Sequence, residues 1–158
     1  MKLASGVAPV PKFIDAGIPV GLGTDGCASN NNLDLFAEMD TAAKLHKVVS
    51  KNPTVMDAKT VLRMATIEGA RAIGLDSRIG SIECGKSADV IVVDTRKPHL
   101  TPMYHPESHL VYTVRGADVR DSFIGGEARV RNREVVGLDA DAAMQAAAAL
   151  GRRIWQTD

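Results

Sequence analysis

The stretch Ile18-Pro19-Val20-Gly21-Leu22-Gly23-Thr24-Asp25-Gly26 decides the fold class, because it has the pattern of a buried strand that runs out into a loop. Val20 and Leu22 are apolar, and the glycines beside them allow other backbone to approach closely. Asp25 falls at the predicted end of the strand. In parallel α/β architectures the chemistry gathers at the C-terminal ends of strands, so Asp25 is the leading candidate for a catalytic residue.

Composition excludes several classes of partner. The chain has 158 residues, enough for one sizeable core, with 19 Lys and Arg against 19 Asp and Glu. This zero net charge gives no electrostatic reason to expect nucleic acid or an anionic membrane as partner. There is no apolar run long enough to span a bilayer and no secretory signal pattern. Cys27 and Cys84 lack C-x-x-C spacing, which favours reduced thiols in a cytoplasmic protein.

The first half has the alternation of an α/β protein. Around the strand at 18–24, apolar periodicity and end signals predict three helices, at 7–17, from Asp34 to Val49, and from an N-cap at Asp57 to Gly74. Residues 27–32 are predicted to be a polar loop. A single strand between helices cannot form a sheet, so this pattern is typical of the end of a larger protein.

The second half changes character after Leu75 and predicts a small antiparallel β module. Hairpin turns are expected at Gly125-Gly126 and Asn132-Arg133, and an extended connection at 99–106. A last helix starts at Asp139. We divide the chain into 1–76, 77–137 and 138–158. The predicted short strands are 79–82, 88–94, 110–114, 119–124, 128–130 and 134–136.

Two other patterns are candidates for functional sites. Gly21-x-Gly23-x-x-Gly26 matches a dinucleotide-binding fingerprint, but six polar or small residues are predicted between it and the next helix. His105 and His109 have the i, i+4 spacing of metal ligands, but Pro106 argues against the helix that would align them. For Asp25 two interpretations stay open: an ordinary turn aspartate, or a general base associated with a metal.

Several segments together resemble the C-terminal part of an amidohydrolase-superfamily enzyme, and within it the 5-methylthioadenosine/S-adenosylhomocysteine deaminase group and its chlorohydrolase-like relatives. The resemblance covers nearly the whole chain, in order. The matching segments are Met1 to Val10, Gly23-Thr24-Asp25-Gly26-Cys27-Ala28-Ser29-Asn30-Asn31-Asn32, Ala65-Thr66 with Gly69-Ala70, and Ile79-Gly80-Ser81-Ile82-Glu83-x-Gly85-Lys86-x-Ala88-Asp89.

The resemblance implies an α/β plus β fold. Residues 1–76 would supply the last strand and helices of a metal-dependent (β/α)8 barrel, with 18–24 as the eighth strand. Residues 77–137 would form the C-terminal part of a small β-sandwich, and residues 138–158 a C-terminal helix. It also implies that Asp25 lies at the metal and acts as base toward the attacking water, and that Ser29 lies close to the substrate.

The same resemblance sets expectations for cofactor and partners. The full enzyme would use one divalent metal, zinc or iron, and an aminopurine-type small molecule as substrate. The family's H-x-H pair, its further metal histidine and its helper glutamate are absent from these 158 residues. We therefore expect the chain alone to bind no metal tightly and to be inactive. The alternatives are a non-catalytic fragment that self-associates or forms a homo-oligomer, and a chlorohydrolase-like or guanine-deaminase-like member of the superfamily.

Overall fold

The structure, a computed structural model, describes residues 3–155; Met1 and Lys2 of the resemblance therefore lie outside the described residues. Seven α-helices are described: α1 (Val10–Asp15), α2 (Cys27–Asn30), α3 (Leu35–Ser50), α4 (Ala58–Met64), α5 (Ile67–Ala72), α6 (Pro106–Tyr112) and α7 (Ala140–Trp155). Four strands are described: β1 (Val90–Val93), β2 (Val119–Ile124), β3 (Glu127–Arg131) and β4 (Glu134–Val135). Two 3-10 turns, Pro98–Leu100 and Gly116–Asp118, precede α6 and β2.

The long helix α3 confirms its prediction almost to the residue. Asp34 is the N-cap, and its Oδ1 accepts a hydrogen bond from Phe36 N at 2.9 Å. Asp57 caps α4 in the same way, through Thr60 N at 2.8 Å. The single helix predicted over 57–74 is instead two helices. The chain breaks at Thr66, whose φ of −131° is not helical.

The core lies between helices from both halves of the chain. Helices α3, α4 and α6 pack against one another. Their shared core is apolar and almost fully buried, with Phe36, Met39, Ala43, Met56, Val61, Met64, Leu100, Val111 and Val114 as its members. Burial of these side chains is the main stabilising contribution to the fold.

Helix α6 corrects two predictions. Residues 110–114 are not a strand, because 106–112 are helical and Val111 points into the helical core. Pro106 does not oppose this helix. It occupies the first helical position, where its missing N–H costs nothing and its fixed φ is already helical.

The strands form one antiparallel sheet in the order β1-β2-β3-β4. Both predicted hairpin turns are confirmed by left-handed backbone, with φ of 58° at Gly125, 82° at Gly126, 49° at Asn132 and 71° at Arg133. The strand predicted at 79–82 is wrong. Gly80 has φ +90°, and a Cβ there would lie 2.7 Å from the Ala70 Cβ, so this turn packs closely on α5.

The segment 18–24 is extended but belongs to no sheet within residues 3–155. It is held to the end of α4 by a hydrogen bond from Leu22 N to Met64 O at 3.2 Å. A strand is defined by its ladder partners, and the described part of the chain provides none for this segment. The close approach predicted at Gly21 is confirmed, because a Cβ there would lie 2.9 Å from Gly69 Cα. At Gly23 nothing lies within 4 Å of the corresponding position.

The last helix forms as predicted, but it contributes nothing to the core. None of its residues is buried, and the exposed fractions are 62% for Met144, 54% for Leu150 and 86% for Trp155. Within residues 3–155, no helix is both long enough and apolar enough to cross a membrane.

Candidate functional site

Asp25 stands on the solvent-facing side of the extended segment, in an unusual backbone conformation. Val20, Leu22 and Thr24 are half-buried against the helices, whereas Gly23 and Asp25 are exposed. The φ of Asp25 is +58°, in the left-handed region that residues with a Cβ rarely adopt. Aspartate tolerates this region better than most side chains do, and such residues cluster at functional sites.

Hydrogen bonds hold the carboxylate of Asp25 in place. Its Oδ1 accepts from Gly26 N at 2.6 Å, and its own carbonyl accepts from Thr24 Oγ1 at 3.1 Å. The Ser29 hydroxyl makes the largest contribution to lowering the pKa of Asp25, followed by the Gly26 N–H, and slight burial only partly opposes them. The side chain is therefore an ionised carboxylate at neutral pH.

The structure brings Asp25 and Ser29, the two predicted site residues, together. The residues predicted to be a loop at 27–32 include the one-turn helix α2, which places the Ser29 hydroxyl 3.1 Å from the Gly26 carbonyl. The turn reverses the chain toward Asp25. A run of Ser and Asn after glycine is compatible with a cap or a loop, so periodicity over four residues could not distinguish the two.

Sequence reasoning missed Asn30. Its side-chain nitrogen lies 2.8 Å from the Thr24 carbonyl and 2.7 Å from Glu38 Oε1, which connects the Asp25 turn to α3. Only the tertiary structure brings residues 24, 30 and 38 together. An asparagine in a polar run carries no signal that would single it out.

The described residues could supply at most part of the ligand set of a divalent metal. Asp25 offers an ionised, exposed carboxylate of the hard oxygen type that divalent metals accept, so it fits one position of a ligand set. Within residues 3–155, no group of three or more His, Cys, Asp or Glu side chains could hold a metal ion. The two spaced histidines belong to no such group among these residues, and His109 Nδ1 lies 3.2 Å from the His105 backbone carbonyl.

A large cavity lies elsewhere in the molecule. It is an open, mainly apolar space of about 1400 Å³ between the extended segment, α5 and the sheet, with Leu22, Ile79 and Val90 among its lining residues. Neither Asp25 nor Ser29 lines it. Because its walls carry little polar chemistry, we place the candidate site at Asp25 and not in this cavity.

Comparisons with known proteins show which family the chain resembles. The sequence pattern of the amidohydrolase family matches residues 1–129. The 5-methylthioadenosine/S-adenosylhomocysteine deaminase of Syntrophobacter fumaroxidans is 56% identical over 98% of this chain and 35% of its own length. The 5'-deoxyadenosine deaminase of Methanosarcina acetivorans is 52% identical over 93% of this chain and 34% of its own length.

Solved structures give the same family. A zinc-bound adenosine deaminase from Xanthomonas campestris superposes with a TM-score of 0.93 at 44% identity, over 99% of this chain and 36% of that protein. A zinc-bound atrazine chlorohydrolase from Arthrobacter aurescens superposes with a TM-score of 0.82 at 29% identity, over 92% of this chain and 32% of that protein.

These matches also bear on the pattern Gly21-x-Gly23-x-x-Gly26. The loop that was predicted between Gly26 and the next helix is wrong, because α2 begins at Cys27, directly after Gly26. That helix is only one turn long, and the glycines lie inside the region that the amidohydrolase pattern matches. The chain spans about a third of the length of its curated relatives and adopts the corresponding part of their fold. It belongs to the amidohydrolase family.

Proposed function

We propose that this chain supplies the Asp25 part of the active site of a metal-dependent aminopurine nucleoside deaminase. The single observation that carries the proposal is the ionised carboxylate of Asp25, held in left-handed backbone beside Ser29 on the open face of segment 18–24. Support comes from the 56% and 52% identity to nucleoside deaminases over nearly the whole chain. A cytoplasmic location stays a prediction.

The proposed roles follow from proton chemistry. Asp25 would occupy one oxygen position at a divalent metal, zinc or iron, which when bound supplies a water of lowered pKa. The Asp25 carboxylate takes the proton of the attacking water, while the water oxygen forms a bond to C6 of the purine. Asp25 then returns the proton to the departing nitrogen, the C6–N bond breaks, and ammonia leaves. Ser29 orients the carboxylate and lies toward the substrate.

The architecture is proposed along the same lines. Residues 1–76 would be the barrel portion with 18–24 as its eighth strand, 77–137 the sandwich portion, and 138–158 a C-terminal helix. The extended segment 18–24, with Val20, Leu22 and Thr24 half-buried, supports the first assignment. Helix α6 falls within the second portion by sequence but packs on α3 and α4. The remaining metal ligands would come from outside these 158 residues, and the chain alone would be inactive.

A chimera tests this function. The 154 residues of the Syntrophobacter fumaroxidans deaminase that match this chain would be replaced by the chain itself, and ammonia release from 5-methylthioadenosine measured with zinc present. We expect turnover, and a fall of at least about 100-fold with Asp25→Asn. Asp76→Asn is the matched control, since this solvent-facing carboxylate only approaches Arg71, at 3.7 Å. A folded, zinc-loaded chimera without turnover would refute the proposal.

A chlorohydrolase-like activity is the alternative within the family. The observation in its favour is the superposition on the atrazine chlorohydrolase. The same chimera decides between the two, because chloride release from a chlorotriazine would be measured beside ammonia release. We expect ammonia alone, since the deaminases are more similar in sequence, at 52–56% against 29% identity.

A second candidate function, association with another copy, is favoured by α7. Apolar residues at helical spacing, among them Met144 and Leu150, form a stripe that is exposed along the helix. Asp141 lies in its first turn and Arg152 in its last, so an antiparallel pair of α7 helices would place opposite charges together.

Light scattering across a concentration series tests this association. We expect a dimer that dissociates in the Leu150→Glu variant. Ala149→Glu is the control, because it puts the same charge on the opposite face of the helix. A wild-type chain that stays monomeric at every concentration would exclude this function.

A further inference from the structure

We propose that Asn30 and Glu38 are positioning residues for Asp25. In this arrangement the Asn30 side-chain amide, held by the Glu38 carboxylate, fixes the Thr24 carbonyl and with it the left-handed backbone of Asp25. The catalytic meaning of this device rests on the proposed function, but the geometry that it maintains is measurable without substrate or metal.

The contacts of Asn30 are all of one kind. Its Nδ2 lies 2.7 Å from Glu38 Oε1, 2.8 Å from the Thr24 carbonyl oxygen and 3.1 Å from the Asn32 carbonyl oxygen. All three partners are acceptors, so the nitrogen and not the oxygen of the amide must face them. An NH2 group has two hydrogens, which the two shortest contacts occupy best.

The link from Asn30 to Asp25 is a single peptide plane. The Thr24 carbonyl and the Asp25 N–H belong to the same planar peptide group, and φ of Asp25 is the rotation of its Cα about the bond that leaves this plane. Fixing the Thr24 oxygen holds this plane, and the bond from Thr24 Oγ1 to the Asp25 carbonyl at 3.1 Å holds the next one, so the two together restrict that rotation. At +58° the φ of Asp25 is intrinsically unfavourable, so it needs such a restraint to persist.

Glu38 gives the restraint a rigid base. It lies in the first turn of α3, next to Met39 and two residues from Phe36, which are 3% and 9% exposed. The helix is therefore fixed in the core on the same turn that presents the Glu38 carboxylate. A site held by groups on a packed helix keeps its geometry better than one held by loop contacts alone.

The alternative is that these bonds only hold the polar loop to the protein. A comparable asparagine elsewhere separates the two cases. Asn52 also organises a turn, since its Oδ1 accepts from Thr54 N at 2.9 Å and from Thr54 Oγ1 at 2.7 Å. Removal of either asparagine side chain would cost stability, but only loss of Asn30 would disturb the backbone at Asp25.

Nuclear magnetic resonance on the isotope-labelled 158-residue chain tests the proposal. The reporters are the backbone shifts of Asp25, which depend on the sign of φ, and the amide proton of Gly26, which the 2.6 Å bond to Asp25 Oδ1 shifts downfield. In Asn30→Ala we expect Asp25 to leave the left-handed region and Gly26 to lose its downfield shift. In Asn52→Ala both reporters should stay as in the wild type.

Variants of Glu38 keep the test decisive even if Asn30→Ala does not fold. Glu38→Gln retains an acceptor oxygen and should preserve both reporters, whereas Glu38→Ala should move them toward the Asn30→Ala values. Unchanged reporters in folded Asn30→Ala or in Glu38→Ala would overturn the proposal. Equal shifts in Glu38→Gln and Glu38→Ala would overturn the role of Glu38. An inactive chimera would refute the proposed function while leaving these results intact.

Discussion

The helical core and the Asp25 segment differ in how their residues are used. In the core of α3, α4 and α6, the side chains of Leu100, Val61 and Val111 are at most 1% exposed. In residues 18–32 no side chain is buried, although this stretch carries Asp25 and Ser29. Stability therefore resides in the first region, and the proposed chemistry in the second. Substitutions in the core should therefore lower stability, whereas substitutions at Asp25 should lower activity without lowering stability.

The largest effect is expected in the core. Leu100→Ala removes a side chain that is 1% exposed, so it should lower the free energy of unfolding by about 2–5 kcal/mol through lost burial and the cavity left behind. Urea denaturation of the 158-residue chain measures the change. Ile82→Ala is the control, since Ile82 is 85% exposed. Similar losses in both variants would mean that the core identified here does not hold the fold.

The next effect concerns a buried carboxylate in the turn that precedes β2. Asp118 is 3% exposed and accepts hydrogen bonds from Lys97 Nζ at 2.7 Å and Arg115 N at 3.0 Å, with His99 Nε2 at 3.0 Å. Burial alone would raise the pKa of Asp118, but these bonds outweigh it and hold the pKa well below its usual range. Asp118→Asn should cost about 1.5–3 kcal/mol at neutral pH.

The pH dependence of this loss follows from the sign of the shift. A carboxyl whose pKa is lowered by folding stabilises the protein above its unfolded pKa, near 3.9, and loses that contribution as the pH falls below it. The difference in unfolding free energy between wild type and Asp118→Asn should therefore be larger at pH 6 than at pH 3. An equal difference at both values would contradict the account.

A smaller effect tests where the Asp25 segment meets the helices. Gly21→Ala would place a Cβ 2.9 Å from Gly69 Cα, so the segment must shift, at a cost of about 1–3 kcal/mol. Gly23→Ala is the matched control, because nothing lies within 4 Å of the added atom. Thermal unfolding of both variants measures the contrast. If Gly23→Ala is the more damaging of the two, the packing described for this segment is wrong.

Elements with complete local signals were predictable from sequence. Helix α3 combines an apolar stripe with the Asp34 cap, and β2 ends at the turn glycines Gly125-Gly126; both are found where they were predicted. Residues 110–114 were misassigned because a short apolar run is compatible with a strand or a helix. Packing of Val111 into the helical core decides it.

The candidate site was only partly predictable for a similar reason. A strand end and two flanking glycines marked Asp25, and the family resemblance added Ser29. Neither source predicted the left-handed φ of Asp25 or the contacts of Asn30, because both depend on the position of α3 relative to the turn. Interactions between loops and distant helices leave no period in the sequence.

The most direct test of the account is the effect of Asp25→Asn on stability and on turnover, measured separately. Because Asp25 is exposed and outside the core, the 158-residue variant should unfold at the same urea concentration as the wild type. In the chimera the same substitution should lower the rate of ammonia release at least about 100-fold. A rate that is unchanged, or a loss that merely follows a loss of stability, would contradict the separation of stability and chemistry in this protein.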